Sequence, residues 1–284
     1  MGAVELMLIR HGESAGNVAA TAAQAAGAEV IDIGLRDADV PLSETGLQQA
    51  QALGRWLSGA TGPGAMGPGA TDPGATRSSR ADPGTAGTSS PDSGSPSAGT
   101  GGFRRPDSVW CSPYLRARQT AEGAGLASGP GLRIDERLRD RELGILDLLT
   151  AAGVSARYPE EALRREWLGK FYYRPPGGES WADVALRLRS LLGDLDRLED
   201  GGCAALVCHD AIVLLMRYVC EGFTEEALLA LAAGTAILNG SVTRLVRPTG
   251  SGAWEIASFN EVAHLEAAGA PVTVHAGDTN VQPR

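Results

Sequence analysis

Apolar residues fall into two kinds of run along this chain. Val4 to Ile9, Ser108 to Cys111 and Cys203 to Cys208 are short, nearly continuous apolar runs, too short for core helices, and they predict buried strands. Other stretches repeat apolar residues at helical spacing. Leu47, Ala50, Leu53 and Leu57 follow Ser43, a candidate N-cap. Trp181, Val184, Leu188, Leu191, Leu192, Leu195 and Leu198 mark one face of a long helix that Gly201-Gly202 ends. Helices are also predicted from Pro113 to about Leu126, over 155–170, from Ala211 to Val219 and from Thr224 to Ala232. Further strands are predicted at Thr235–Leu238, Val242–Val246 and Trp254–Phe259. Residues 12–40 read as irregular, 134–147 as charged and broken, and 171–178 as a turn-rich loop. Strands alternating with helices predict an α/β layered domain with a largely parallel sheet.

From about Ser58 to Pro106 the pattern disappears, and Gly, Pro, Ser, Thr and Ala dominate. With little to bury, this segment cannot offset its ordering entropy. It reads as a disordered insertion (58–106) on a surface loop of a single domain, 1–266, and a flexible insert is preferred to a partner-binding arm. Residues 267–284, containing Gly, Ala and Pro, read as a frayed tail.

Composition narrows the function classes. The 284 residues are 43% hydrophobic and carry a formal charge of -9, which argues against a nucleic-acid binder. Positive charge is almost all arginine, with Lys170 the single lysine. Cys111, Cys203, Cys208 and Cys220 form no CxxC pair, so neither a zinc site nor a disulfide framework is expected, and buried thiols in a reducing cytoplasm fit better. No signal peptide and no membrane span is expected. The oligomeric state is open, a homodimer being one state compatible with it.

The chemistry centres on two histidines. In layered sheets, ligands bind beyond the carboxyl ends of the strands. His11 and His209 each directly follow a short apolar strand, so both imidazoles are expected at one sheet edge, with Arg10 beside the first. His264 and His275 follow no such strand and are expected to be structural or exposed.

In order along the chain stand Arg10-His11-Gly12-Glu13-Ser14 with Asn17, Pro41-Leu42-Ser43-Glu44-Thr45-Gly46, and Ser112-Pro113-Tyr114-Leu115-Arg116-Ala117-Arg118-Gln119-Thr120-Ala121. Pro176-Gly177-Gly178-Glu179-Ser180 and Val207-Cys208-His209-Asp210 follow. This series resembles the histidine phosphatase superfamily, which includes the cofactor-dependent phosphoglycerate mutases. The resemblance implies a three-layer α/β/α sandwich with a mostly parallel central sheet, and a metal-independent phosphatase with no cofactor. Its substrate would be a small phosphorylated metabolite or a phosphoprotein. By the same resemblance His11 is the nucleophile, Arg10, Arg116, Asn17 and His209 hold the phosphoryl group, and Asp140 protonates the leaving group. Arginine suits this work because its planar fork matches phosphate oxygens.

Glu142 competes with Asp140, since residues two apart in extended chain face one side, although counting back from Gly144 favours Asp140. Gly46 and Glu179 match stretches that lie near the substrate in the family, and Arg141, Arg174, Tyr172 and Tyr173 are candidate specificity residues. Ser14 is either a phosphate donor or a turn cap, and Arg118 is assigned to solvent. Asp210 stands where the family commonly has glycine and is expected to cap the following helix. The alternatives are a phosphoglycerate mutase using the same site, a silent phosphate-binding module, and a Cys/His hydrolase using Cys208 or Cys111.

Overall fold

The computed structural model describes residues 2–59, 104–128 and 131–275. Residues 60–103 of the expected insertion and 276–284 of the expected tail lie outside them. Six strands form one sheet: β1 (Glu5–Arg10), β2 (Ser108–Cys111), β3 (Leu132–Ile134), β4 (Cys203–Cys208), β5 (Val242–Val246) and β6 (Glu255–Glu261). Their spatial order is β3-β2-β4-β1-β5-β6. The pairings β3·β2, β2·β4 and β4·β1 are parallel, whereas β5 runs antiparallel to both β1 and β6. The sheet is therefore mixed, through a single reversed strand.

Alternation along the central strands builds the layers. Leu6, Leu8, Ala204, Leu206 and Cys208 face one core, closed by α6 (Trp181–Leu198) and α7 (Asp210–Glu221). Met7, Ile9, Cys203, Ala205 and Val207 face the other, closed by α2 (Glu44–Gly59) and α3 (Leu115–Gly123). With both faces covered, β1 and β4 are buried throughout, which explains their continuous apolar runs. On α6, Trp181, Val184, Leu188, Leu191 and Leu195 are buried as the spacing predicts, each worth roughly 1.5–3 kcal/mol. Leu198, at the end of the stripe, is exposed.

The structure departs from expectation in several places. Residues 12–40 contain α1 (Ala15–Ala25), whose only buried side chain is Ala23 and whose alanine-rich sequence gives no apolar stripe. Thr235–Leu238 is no strand: Arg10 takes the Ile237 carbonyl and the Asn260 side chain takes the Leu238 amide. The stretch 155–170 is divided between α4 (Ala151–Arg157) and α5 (Pro159–Tyr172), because the residue before a proline leaves the helical region. Pro113 precedes α3 rather than starting it. The expected tail is tethered up to its last described residues. After α8 (Glu225–Gly234) and β6, α9 (Ala263–Ala267) leads into a strap whose Pro271 and Thr273 carbonyls bond to Gln49 and Asn239.

Candidate active site

Strand register assembles the site. Arg10 pairs with Cys208, so His11 and His209 leave β1 and β4 side by side, their rings 5.1 Å apart and edge to face. The His11 amide extends the ladder to the Cys208 carbonyl at 2.9 Å, and the Gly240 amide holds the His11 carbonyl at 3.1 Å. His11 Nδ1 lies 2.6 Å from the Gly12 carbonyl oxygen. A ring nitrogen facing a carbonyl must carry the proton, so the lone pair of the neutral ring sits on Nε2. Burial, then Arg116, His209 and Arg10, push the His11 pKa well below its ordinary value, so the ring stays unprotonated.

His209 is fully buried, and its pKa is likewise pushed down by burial first and then by Arg116 and Arg10. Its Nε2 lies 2.8 Å from Ser112 Oγ, which itself accepts the Tyr114 amide at 3.2 Å. Ser112 is thus free to donate to Nε2, and the Asp140 carboxylate facing Nδ1 favours the ring proton on that nitrogen. That Nδ1 is 3.3 Å from Asp140 Oδ2 but makes no aligned hydrogen bond, and the buried Arg10 Nε is also unpartnered. Two buried donors without acceptors, beside one buried acceptor, form a receptacle for an anion.

Arg116 is buried beneath the Tyr114 ring and gives its fork to carboxylates: NH1 to Asp37 Oδ1 at 2.9 Å, NH2 to Asp37 Oδ2 at 3.1 Å and to Asp140 Oδ2 at 3.1 Å. Asp140 therefore stands between Arg116 and His209. Glu142 lies one layer out, accepting the Tyr114 hydroxyl at 2.7 Å with about half its side chain exposed (48%). Asn17 belongs to a capping box with Ser14, and its Oδ1 is held by the Ser14 amide (3.1 Å) and Asn239 Nδ2 (3.2 Å), which fixes the amide with its NH2 as the remaining donor end. Ser14 is thus the cap of α1. Asp210 is the first residue of α7 rather than its cap, a position His209 holds, and its carboxylate accepts the Ala211 amide at 2.6 Å. Arg118 is exposed.

The proposed outer residues fare differently. Gly46 reaches the site as backbone: a Cβ there would lie 2.0 Å from the Glu13 carbonyl oxygen, so glycine lets α2 press against the loop after β1. Gly46→Ala is expected to cost about 1–3 kcal/mol of stability, read from the urea midpoint, together with a loss of activity. Arg141 donates to the Glu179 carbonyl (2.7 Å) and the Tyr173 carbonyl (3.3 Å), and Arg174 pairs with Asp183 in the capping box of α6. Glu179 holds Arg139 (2.5 Å) and Arg187 (3.1 Å). All three brace the 139–142 loop and the start of α6.

Sequence reasoning passed over Asp37, Ser112, Asn239 and His275. Asp37 sits in an irregular segment with no periodicity to mark it. His275, expected to be structural or exposed, lies beside the catalytic loop, its Nε2 2.9 Å from Glu13 Oε2 and its Nδ1 2.7 Å from Thr21 Oγ1. His264 is structural, buried and stacked on Trp56. The four cysteines are free and buried, and burial pushes the Cys111 thiol up to about 12 and Cys208 higher still, which removes the thiolate that a cysteine hydrolase needs.

The buried histidines carry a pH signature. His11, His209 and His264 (lowered to about 4) are neutral in the folded protein, whereas the unfolded chain protonates them below about 6.5. The unfolded state then binds more protons, so stability falls as pH drops from 6.5 toward the folded values, by about 1.4 kcal/mol per pH unit for each histidine. Thermal melts should show the midpoint decreasing from pH 7 to pH 5, and less steeply in His264→Gln.

Comparison with known proteins agrees with this geometry. Residues 6–65 and 102–262 match the model of the histidine phosphatase superfamily (branch 1). A 6-phosphofructo-2-kinase/fructose-2,6-bisphosphatase of Gallus gallus is 31% identical over 119 residues, 42% of this chain and 24% of that protein. Isoform 3 of Homo sapiens is 33% identical over 119 residues, 42% of this chain and 21% of that protein. The match thus spans about a quarter or less of these relatives. Among solved structures, a mycobacterial glucosyl-3-phosphoglycerate phosphatase in complex with VO3 superposes with a TM-score of 0.61 at 24% identity, covering 91% of this chain and 100% of that one. A putative α-ribazole-5'-P phosphatase from Escherichia coli gives 0.62 at 16% identity, covering 92% and 98%. Phosphoryl hydrolysis through a phosphohistidine fits the site, and the chain belongs to the histidine phosphatase superfamily, branch 1.

Proposed function

We propose that this protein hydrolyses phosphomonoesters through a phosphohistidine on His11, without a metal. His11 Nε2 attacks phosphorus in line with the ester oxygen. Arg10, Arg116, Asn17 and the His209 Nδ1 proton hold the non-bridging oxygens, where charge must be stabilised as the bond shifts. Asp140 gives its proton to the departing alkoxide. As a carboxylate it then takes a proton from the water that attacks the phosphohistidine, releasing phosphate and restoring His11.

One observation supports this reading above the others: Arg10 Nε and His209 Nδ1 are buried donors without acceptors, set around a histidine whose other nitrogen is tied to Gly12. A silent binding module has no need of a neutral, oriented imidazole. The substrate class is a small phosphorylated metabolite or a phosphoprotein, and the names of the structural neighbours support the former. Among the described residues no helix is long and apolar enough to cross a membrane, and the free thiols suit a reducing cytoplasm.

The test is trapping. Rapid quenching of the protein with radiolabelled phosphomonoester in EDTA should yield a phosphoenzyme that is stable in alkali and lost in acid, decaying to inorganic phosphate. Absence of any labelled intermediate, with phosphate still released, would overturn the mechanism. A phosphoenzyme that persists until a second acceptor alcohol is added would favour a mutase.

A further inference from the structure

The phosphate receptacle is positive, but its outer wall is not. Asp37 occupies the Arg116 fork with both oxygens, its backbone carbonyl takes Arg116 NH1 at 2.6 Å, and its side chain is 41% exposed. Asp147 lies close enough that Asp37 and, more weakly, Glu142 add to burial in raising its pKa. Glu142 is tethered to Tyr114, whose ring packs on both His209 and Arg116. Asp37 thus shares the Arg116 guanidinium with Asp140, the proposed donor to the alcohol oxygen, Glu142 stands two residues beyond Asp140 on Tyr114, and Asp147 lies near Asp37 and Glu142. The nearby guanidinium groups neutralise that wall only in part: Arg116 is shared between Asp37 and Asp140, Arg139 holds Glu179 at 2.5 Å and reaches Glu142 only at 3.9 Å, and Arg187 is held by Glu179 and by the Asp140 carbonyl at 3.1 Å.

The two halves of the wall are stitched together. Val30 bridges Leu149, the Ile31 amide bonds the Leu148 carbonyl at 2.8 Å, and Thr150 Oγ1 bonds the Ala28 carbonyl at 2.6 Å. Tyr114, whose ring packs on His209 and on Arg116, links this wall to the buried, unpartnered His209 Nδ1.

We infer, resting on the phosphatase reading, that Asp37, Asp147 and Glu142 act as a charge filter: the substrate is a phosphomonoester whose alcohol part is uncharged or cationic, rich in hydroxyl or ammonium donors, and free of a second phosphate or carboxylate near the scissile group. Carboxylates accept hydrogen bonds from such donors and repel a second anion. Asp37 also competes with the phosphoryl group for Arg116, so the phosphoryl group must displace it.

Glycerol 3-phosphate and 3-phosphoglycerate test this directly, because they differ only in a neutral CH2OH against a carboxylate. The wild-type protein should show at least about tenfold higher kcat/KM for glycerol 3-phosphate, the scale of one unscreened like-charge contact. Asp37→Asn/Asp147→Asn should shrink that ratio several-fold, and a ratio is insensitive to partial misfolding of the variant. Equal or better use of 3-phosphoglycerate by the wild type, or an unchanged ratio in the double variant, would overturn the filter. Calorimetric binding of the same two esters to His11→Ala reads the preference without turnover. If the wild type cleaves nothing but the binding ratio holds, only the phosphatase reading falls; if binding shows no preference, the filter falls.

Discussion

His11→Ala should lose phosphate release from every phosphomonoester by about 10^4-fold or more, the scale on which removal of a covalent nucleophile is felt. The residual rate should not depend on which alcohol leaves. The protein should remain folded, because the imidazole contributes one contact to the Gly12 carbonyl and an edge against His209, while the backbone of this residue is held by Cys208 and Gly240. The informative comparison is His11→Gln, which keeps polarity and approximate size but has no ring nitrogen to phosphorylate. If His11→Gln retained even a tenth of wild-type turnover, direct attack by water would replace the covalent route. Vanadate should still bind both variants, because Arg10, Arg116 and His209 remain in place. Between pH 7 and pH 5 the wild-type rate should not fall on account of His11: its pKa lies well below the ordinary 6.5, so the attacking form persists.

Asp140→Asn should cost about 10^2 to 10^4-fold in kcat on alkyl phosphates, whose alkoxides leave only when protonated. On p-nitrophenyl phosphate the loss in kcat/KM, which reports phosphorylation of His11 and not the later hydrolysis, should be small, since that phenolate departs without help. The dependence on leaving group is what distinguishes a proton donor from a structural residue. Asp140 also pairs with Arg116 at 3.1 Å and lies 3.3 Å from His209, so a merely structural defect would depress both substrates equally. Glu142→Gln should leave the leaving-group dependence unchanged, because its carboxylate is bound to the Tyr114 hydroxyl and stands outside the catalytic cluster. A larger leaving-group effect in Glu142→Gln than in Asp140→Asn would reverse the assignment.

The parts legible in the sequence were those governed by burial. Cys203–Cys208 and Ser108–Cys111 were found at their observed bounds, because strands covered on both faces must be apolar throughout. Two histidines at the ends of such strands could only meet at one edge, and their rings do meet. What escaped was governed by polar backbone contacts, which leave no periodic trace. Helix α1 buries one alanine. Asp37 is one acid among several in a loop, and nothing local reveals that Arg116, 79 positions away, will hold it. Asn239 orients Asn17 across 222 positions. Gly46 was noticed for its neighbourhood, whereas its work as a spacer becomes apparent only when α2 is seen against the Glu13 carbonyl. The described start of the tail, 267–275, is held where its own composition gives no sign of it, because the tether is made by Gln49 and Asn239.

The central position of β1 bears on how the protein is made. The strand that carries Arg10 is synthesised well before its two neighbours in the sheet, β4 and β5, which begin at Cys203 and Val242. At typical synthesis rates of about 5–20 residues per second, β1 therefore waits on the order of 10 to 40 seconds for its first sheet partner. During that interval Leu6-Met7-Leu8-Ile9 is an unpaired apolar edge, the kind of segment that invites pairing with another chain. The long separation between β1 and β4 raises the contact order and slows folding, whereas the extra residues between α2 and β2 add only slightly to the entropic cost of closing that loop. His11 is therefore synthesised long before His209, the ring it meets at the strand ends.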